Sequence, residues 1–435
     1  MPFIHYDEAK RLAIESAIGW LKDHRDVERL LLVFDLFGKL RVVLRAPQGS
    51  VEGAVTQLAP DLEARCGTWW TGEVLSVAAA GETERQIWDQ AWDTARADSD
   101  GDQRIRVLHR HRTRNAWFSD SENPQWRAVE DGPPIIVFYS FKGGLGRSTA
   151  LASLAIQRAR AGERVCVVDF DLDAPGIGRL LSADEKGITS PWGIVDYLVE
   201  RPTGNVPLSD YHHSCSRVAG SGEIITFPAG MIDLNYADKL ARADLEEPPS
   251  ASDLGITRLL SDIRLAIKPD WIFLDARTGV SEPAGLLLSG LAHLHVLFGT
   301  TSEQSWQGLK VVIDRLGRRR VVAGQPQGEI LLVQTMIPPT PEAAERAKTN
   351  FAERARQEFT DSYYAMESDD PTDNRFWDMR DVESADAPHV PVTISYDPRL
   401  ADFRDITDIA DVLCEGVYTA VSGRVAARFV KEIES

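Results

Sequence analysis

An apolar, β-branched run that stops at a glycine-rich turn and continues as a helix-compatible stretch constrains this chain more than any other feature. Ile135-Ile136-Val137-Phe138-Tyr139-Ser140 leads into Phe141-Lys142-Gly143-Gly144-Leu145-Gly146-Arg147-Ser148-Thr149, and helical spacing runs from Ser148 to Ala161. This is the strand–loop–helix order in which backbone N–H groups wrap a phosphate chain and a helix N-terminus faces its charge. Gly143, Gly144 and Gly146 let the backbone approach phosphate oxygens with no Cβ in the way. The predicted nucleotide-binding segment is Lys142 to Thr149, including Leu145 and Arg147, and Ser148 is placed to give its hydroxyl to Mg²⁺. An ordinary tight turn is the competing reading, and the agreement of strand, spacing and helix opposes it.

From Ile135 onward, β-branched runs alternate with helical patterns. Val165–Phe170, Ile224–Phe227, Trp271–Asp275, His293–Phe298, Ile330–Gln334 and Val390–Ser395 all read as buried strands. The alternation predicts an α/β domain over 135–435, a doubly wound, mainly parallel sheet with helices on both faces. In such sheets ligands bind beyond the carboxyl ends of the strands, where the polar motifs of this chain lie. One strand ends Val167-Val168-Asp169-Phe170-Asp171, and residues two apart share a face, so Asp169 and Asp171 point the same way. A solvated acidic turn is the alternative there. A second strand, Trp271-Ile272-Phe273-Leu274-Asp275, closes on a carboxylate suited to holding Mg²⁺ through water, and Ala276-Arg277-Thr278-Gly279 follows.

The loop departs from the plain G-x-x-x-x-G-K-[ST] pattern. Phe141 replaces the first glycine, Lys142 stands directly before the glycine pair, and Arg147 replaces the usual phosphate lysine. Lysine followed by Gly-Gly-x-Gly resembles the deviant Walker A loop of the MinD/ParA family of ATPases. The resemblance implies ATP and Mg²⁺ as ligands, with Lys142 reaching the partner subunit's phosphates across a nucleotide-sandwich dimer. It also implies Asp171 as the residue that orients the attacking water, Asp169 as a helper of the metal or its waters, and Gly279 as the amide that senses the γ-phosphate. Arg277, without a counterpart in the common form of that stretch, either stabilises phosphate charge or pairs with a carboxylate. Phe227-Pro228-Ala229-Gly230 and Tyr396-Asp397-Pro398 resemble a core turn and a base-proximal element of the family. No Asn-Lys-x-Asp guanine motif is present, which favours adenine.

Residues 1–118 read as a smaller mixed α+β domain. Helical patterns at Glu8–Lys22, Val51–Arg65 and Glu82–Arg96 are interleaved with strand-like runs at Leu30–Phe34, Leu40–Leu44 and Ile105–Leu108. Trp20, Trp69, Trp70, Trp88, Trp92, Trp117 and Trp126, seven of the eleven tryptophans, supply a core or a partner surface. Residues 119–134, polar, acidic and ending Gly132-Pro133-Pro134, read as a linker to the domain at 135–435. Further on, Asp361 to Ala387 is acidic and aperiodic, like a surface insertion.

A net charge of −18 argues against a surface that grips nucleic acid throughout. The basic runs Arg104–Arg114 and Arg315–Arg320 read first as solvated faces and second as local nucleic-acid contacts. Four scattered cysteines without a C-x-x-C pair speak against a disulfide framework or zinc site and for a cytoplasmic protein. No leader pattern opens the sequence, and the apolar stretch Ala284–Gly299, interrupted by His293 and His295, is too short to span a bilayer. The C-terminal pattern Val425, Phe429, Val430 and Ile433 lacks the basic face of a membrane-targeting helix and is expected to dock on its own domain. The resulting expectation is an ATP-binding, slowly hydrolysing switch that dimerises with ATP and signals to a protein partner through its N-terminal domain. A non-hydrolysing nucleotide sensor or scaffold, and a ParA-like DNA-associated positioning protein, are the alternatives.

Overall fold

The computed structural model describes residues 4–97, 102–110, 117, 124–243, 255–323, 329–364, 377–400 and 402–429. The chain divides into two units, Met1–Thr113 and Arg114–Ser435.

In the first unit, β1 (Arg29–Phe34), β2 (Leu40–Arg45), β3 (Trp70–Ser76), β4 (Arg96–Ala97) and β5 (Ile105–His109) form one sheet in the order β3-β2-β1-β5-β4. β1 runs antiparallel to β2 and parallel to β5, so the sheet is mixed. Alternation along β1 serves two cores. Leu30, Leu32 and Phe34 face the helices Tyr6–Leu21 and Ala59–Cys66, whereas Leu31 and Val33 face Trp92 of the helix Glu82–Thr94. The close approach of Tyr6–Leu21 is made by Ala9, Ala13 and Ala17, all buried. Arg104 donates to the carbonyls of Leu21 (3.0 Å) and His24 (2.9 Å), capping the end of that helix, and Arg106 stacks on the Trp92 ring at 4.8 Å. Arg104 and Arg106 are thus spent on the unit's own structure, whereas Arg110 is exposed; Arg112 and Arg114 lie outside the described residues.

The second unit carries β6 (Ile135–Ser140), β7 (Arg164–Phe170), β8 (His213–Ser214), β9 (Glu223–Phe227), β10 (Trp271–Ala276), β11 (Leu294–Gly299), β12 (Glu329–Ile337) and β13 (Val392–Ser395). Their order is β13-β12-β11-β6-β10-β7-β9-β8, and every pairing is parallel except that of β8 with β9. This is the doubly wound sheet that the alternation predicts. Ile135, Val137 and Tyr139 pack into one core with the helices Gly255–Ala266, Glu303–Ala323 and Pro341–Ser362. Ile136 and Phe138 pack into the other with Arg147–Arg160 and Val417–Ala427.

Trp117 and Trp126 belong to the first of these cores rather than to the N-terminal unit. Trp126 donates its indole N–H to Pro133 O at 2.8 Å, and a Cβ on Gly132 would lie 2.7 Å from its ring. The described part of the expected linker, from 124 to 134, therefore packs against the second unit; residues 119–123 lie outside the described residues. At the C-terminus, Tyr418, Val421 and Val425 are buried and Phe429 meets Trp271 edge-on at 5.8 Å, so this helix docks on its own unit. Val430 and Ile433 lie outside the described residues, as do 365–376 of the expected acidic insertion. Among the described residues no helix is long and apolar enough to cross a membrane.

Candidate functional site

At the carboxyl end of β6, Ser140 Oγ donates to Lys142 O (2.8 Å) and sets the chain's entry into the loop. Gly144 and Gly146 both sit at φ +76°, a left-handed conformation that residues with a Cβ avoid. An added Cβ at 143, 144 or 146 would meet open space, so these glycines serve the loop's path and leave its concave side clear. Phe141 is accommodated by the helix Glu303–Ala323: a Cβ on Gly308 would lie 1.9 Å from its Cγ. Leu145 is buried and anchors the turn. Beyond Gly146 the first helical bond is Ala150 N–H to Gly146 O (2.9 Å), so the N–H groups of Arg147, Ser148 and Thr149 precede the first intrahelical donor and have no acceptor within the helix. They form the positive end of the helix dipole.

Sheet register assembles the acids. Asp275 of β10 and Asp169 of β7 are direct Cα partners, and Asp171 follows two residues on. Arg147 lies among them, 7% exposed. Its Nε–H donates to Asp275 Oδ1 at 2.6 Å and its Nη2–H to Asp171 Oδ2 at 3.1 Å. Ser148 Oγ–H donates to Asp275 Oδ2 at 2.6 Å, so both oxygens of Asp275 are engaged. Burial pushes the Asp275 carboxyl above its usual range, against the pull of Arg147 and Ser148. Burial also works to lower the proton affinity of Arg147, and the two carboxylates outweigh it.

Asp169 differs from its neighbours. Burial first, then the charge of Asp275, raise its pKa to about 8. Its Oδ2 accepts from the amides of Gly176 (3.1 Å) and Gly178 (3.0 Å). Gly178 must be glycine, because a Cβ there would lie 2.9 Å from Pro228. The expected part of Asp169 was to help hold the metal. Those two bonds brace the turn after β7, while its Oδ1 is buried without a hydrogen-bond partner among the described residues.

The glycine of the second carboxylate strand's loop, Gly279, stands beside the loop entry: its Cβ would lie 3.9 Å from Phe141 O, and Tyr139 donates its hydroxyl to Gly279 O at 3.1 Å. Arg277 pairs with Asp173, favouring the carboxylate reading of its role, and both line a cleft of about 400 Å³ with Thr278, Val280 and Leu240. Lys142 is not drawn into the carboxylate cluster; among the described residues its ammonium makes no hydrogen bond or ion pair. Pro228 and Ala229 accept from Ile194 and Val195 at the start of the helix Ile194–Glu200, a structural task. Tyr396, the expected base-proximal residue, is exposed.

Sequence reasoning missed two contributors. Tyr236 donates its hydroxyl to Leu172 O at 2.7 Å, holding the Asp171–Asp173 turn from above. Trp117 donates its indole N–H to Ser281 O at 2.6 Å, just after Gly279, and a Cβ on Gly285 would lie 2.4 Å from its ring. The nearby glycine is the only sequence signal for the latter, and it is uninformative without the fold.

Residues 133–200 match the family model described as ParA: NUBPL iron-transfer P-loop NTPase. A protein assigned as the septum site-determining protein MinD of Oltmannsiellopsis viridis is 36% identical over 76 residues, which is 18% of this chain and 24% of that protein. The cytosolic Fe-S cluster assembly factor cfd1 of Aspergillus oryzae is 26% identical over 148 residues, 34% of this chain and 42% of that one. This chain thus spans a quarter to under half the length of these relatives. The MinD cell division protein of Aquifex aeolicus superposes with a TM-score of 0.42 at 16% identity, covering 69% of this chain and 98% of that one.

Proposed function

We propose that this MinD/ParA-like P-loop domain binds ATP with Mg²⁺ and acts as a slowly hydrolysing switch. The observation that carries the reading is the meeting of Ser148 and Asp275 at 2.6 Å, directly beneath a loop whose glycines face open space. The donor set fits a Mg²⁺–nucleotide: a hydroxyl, a carboxylate and the buried Asp171 Oδ1, which has no partner among the described residues. When bound, the metal would neutralise charge between the β- and γ-phosphates. The amides of Gly143 to Thr149 would cradle the phosphates, Ser148 and Asp275 would hold the metal directly or through water, and Asp171 would orient the attacking water. Gly279, joined to the loop through Tyr139, would report whether a γ-phosphate is present. By the family resemblance Lys142, free of the cluster, would serve a second subunit in an ATP-dependent homodimer. The N-terminal unit would recognise a protein partner, and the cytoplasm would be the site of action.

One observation favours the non-hydrolysing sensor as a second reading: Arg147 engages Asp171 Oδ2, and while that pair persists the carboxylate is a weaker acceptor for an attacking water. Of the four cysteines Cys66, Cys166 and Cys215 are buried and Cys414 is partly exposed, and the iron–sulfur role named for some relatives is not carried over to this chain. DNA association is also weakly founded, because Arg104, Arg106 and Arg315 make internal contacts; the side chains of Arg318, Arg319 and Arg320 lie outside the described residues.

Steady-state phosphate release with Mg-ATP, beside light scattering with and without ATP, tests the reading. Release and ATP-dependent dimers, both lost in Lys142→Ala, are expected, and Asp171→Ala should abolish release while sparing binding. A chain that binds no adenine nucleotide would refute it.

A further inference from the structure

The groups that a Mg²⁺–nucleotide would draw on are already occupied from within. Asp275 is 1% exposed and Asp171 8% exposed, and a guanidinium 7% exposed lies between them. Two buried carboxylates facing one space would repel, and one would have to take a proton or a counter-charge. Arginine suits the task because its rigid planar head presents donors to both acids at once, through Nε to Asp275 and Nη2 to Asp171. A lysine ammonium, a point charge, has no such fork.

The pairing is nonetheless incomplete. Arg147 Nη1 and Asp171 Oδ1 are both buried without a hydrogen-bond partner among the described residues. Purely structural ion pairs tend to be fully satisfied, and orphaned atoms call for an explanation. Arg147 follows Gly146 directly, at the end of a loop where a Cβ on Gly143, Gly144 or Gly146 would meet open space.

We propose that Arg147 is an internal counter-cation. In the nucleotide-free protein its guanidinium stands between Asp171 and Asp275 in place of the metal and keeps the free ion out. When nucleotide arrives, it moves to phosphate oxygens and surrenders the carboxylates. The proposal rests on the nucleotide-site reading for its second half only. Metal then enters with nucleotide and not before it, and Asp171 becomes free only when phosphate is there to hold the arginine.

The test uses the full chain without nucleotide, titrated with Mg²⁺ alone and with Ca²⁺ alone. Calorimetry and thermal unfolding should show no saturable binding by the wild type. Arg147→Gln should gain a saturable site, with a rise in Tm on the order of 5 °C at a hundredfold excess over Kd. Saturable Mg²⁺ binding by the wild type, or a folded R147Q that gains none, overturns the proposal. A second measurement does not depend on that variant folding. The Arg147 Nε–H resonance, assigned by its loss in R147K, should be protected in the free protein, indifferent to Mg²⁺ and displaced by Mg-ATP. A resonance unmoved at Mg-ATP saturation overturns the proposal. Absence of nucleotide binding, read by a fluorescent ATP analogue, would instead refute the nucleotide-site reading and leave the metal titrations to judge the counter-cation.

Discussion

Asp169→Asn should stabilise the nucleotide-free second unit, by an amount that grows with pH. In the unfolded chain this carboxyl ionises at its ordinary 3.8, whereas in the folded unit it keeps its proton up to about pH 8, chiefly through burial and then through the charge of Asp275. Between those values the folded state binds the extra proton, so stability falls as pH rises, by about 1.4 kcal/mol per pH unit for one such group. The contribution is fully present below pH 3.8 and fully lost above about 8. Asparagine removes this dependence and still offers an oxygen to the Gly176 and Gly178 amides. Relative to wild type, the variant's advantage should therefore widen by roughly 3.5 to 4 kcal/mol between pH 5 and pH 8, with about half of that if water enters the site. Urea denaturation at both pH values supplies the difference. Exchange of the β7 amides reports the second unit apart from the first. A variant less stable than wild type at pH 8, or a difference that does not change with pH, would refute the assignment of a protonated Asp169.

Other substitutions probe the supports around the site. Gly308→Ala, which puts a methyl into the Phe141 ring, should cost about 1–3 kcal/mol and weaken nucleotide binding; adding Phe141→Ala should recover both, as a double-mutant cycle of thermal unfolding and binding would show. Trp117→Ala should destabilise the second unit by about 3–5 kcal/mol, whereas Trp117→Phe, losing mainly the bond to Ser281, should cost about 1 kcal/mol by urea denaturation. Arg104→Ala should release the carbonyls at the end of Tyr6–Leu21 and cost the first unit about 2 kcal/mol, seen as faster amide exchange in that helix's last turn.

The parallel strands of the second unit were legible because strands buried on both faces read as continuous apolar runs, whereas the two-residue antiparallel β8 was not. β3 was not, since Trp70, Thr71, Gly72 and Glu73 on an edge strand show neither a run nor an alternation. Period-two spacing correctly brings Asp169 and Asp171 to one end of the sheet. The proton on Asp169 is invisible to that rule, because it depends on burial and on Asp275, a residue from another strand. Arg147 is similar: the motif reveals a positive charge in the loop, while its place between two carboxylates is set by residues that β7 and β10 deliver separately. Trp117 and Trp126 read as N-terminal by position, and only the shape of the second core claims them.

Gly308 gives the loop a second half that no contiguous motif contains. A phosphate loop opening on phenylalanine fits here only because a distant helix carries no side chain at 308, so the two positions are sterically coupled. Transplanting residues 141–149 into a scaffold with alanine at the matching helical site would carry the motif and leave behind the hole it needs. The order of building matters as well: glycine has to stand at 308 before phenylalanine can enter at 141 without a clash.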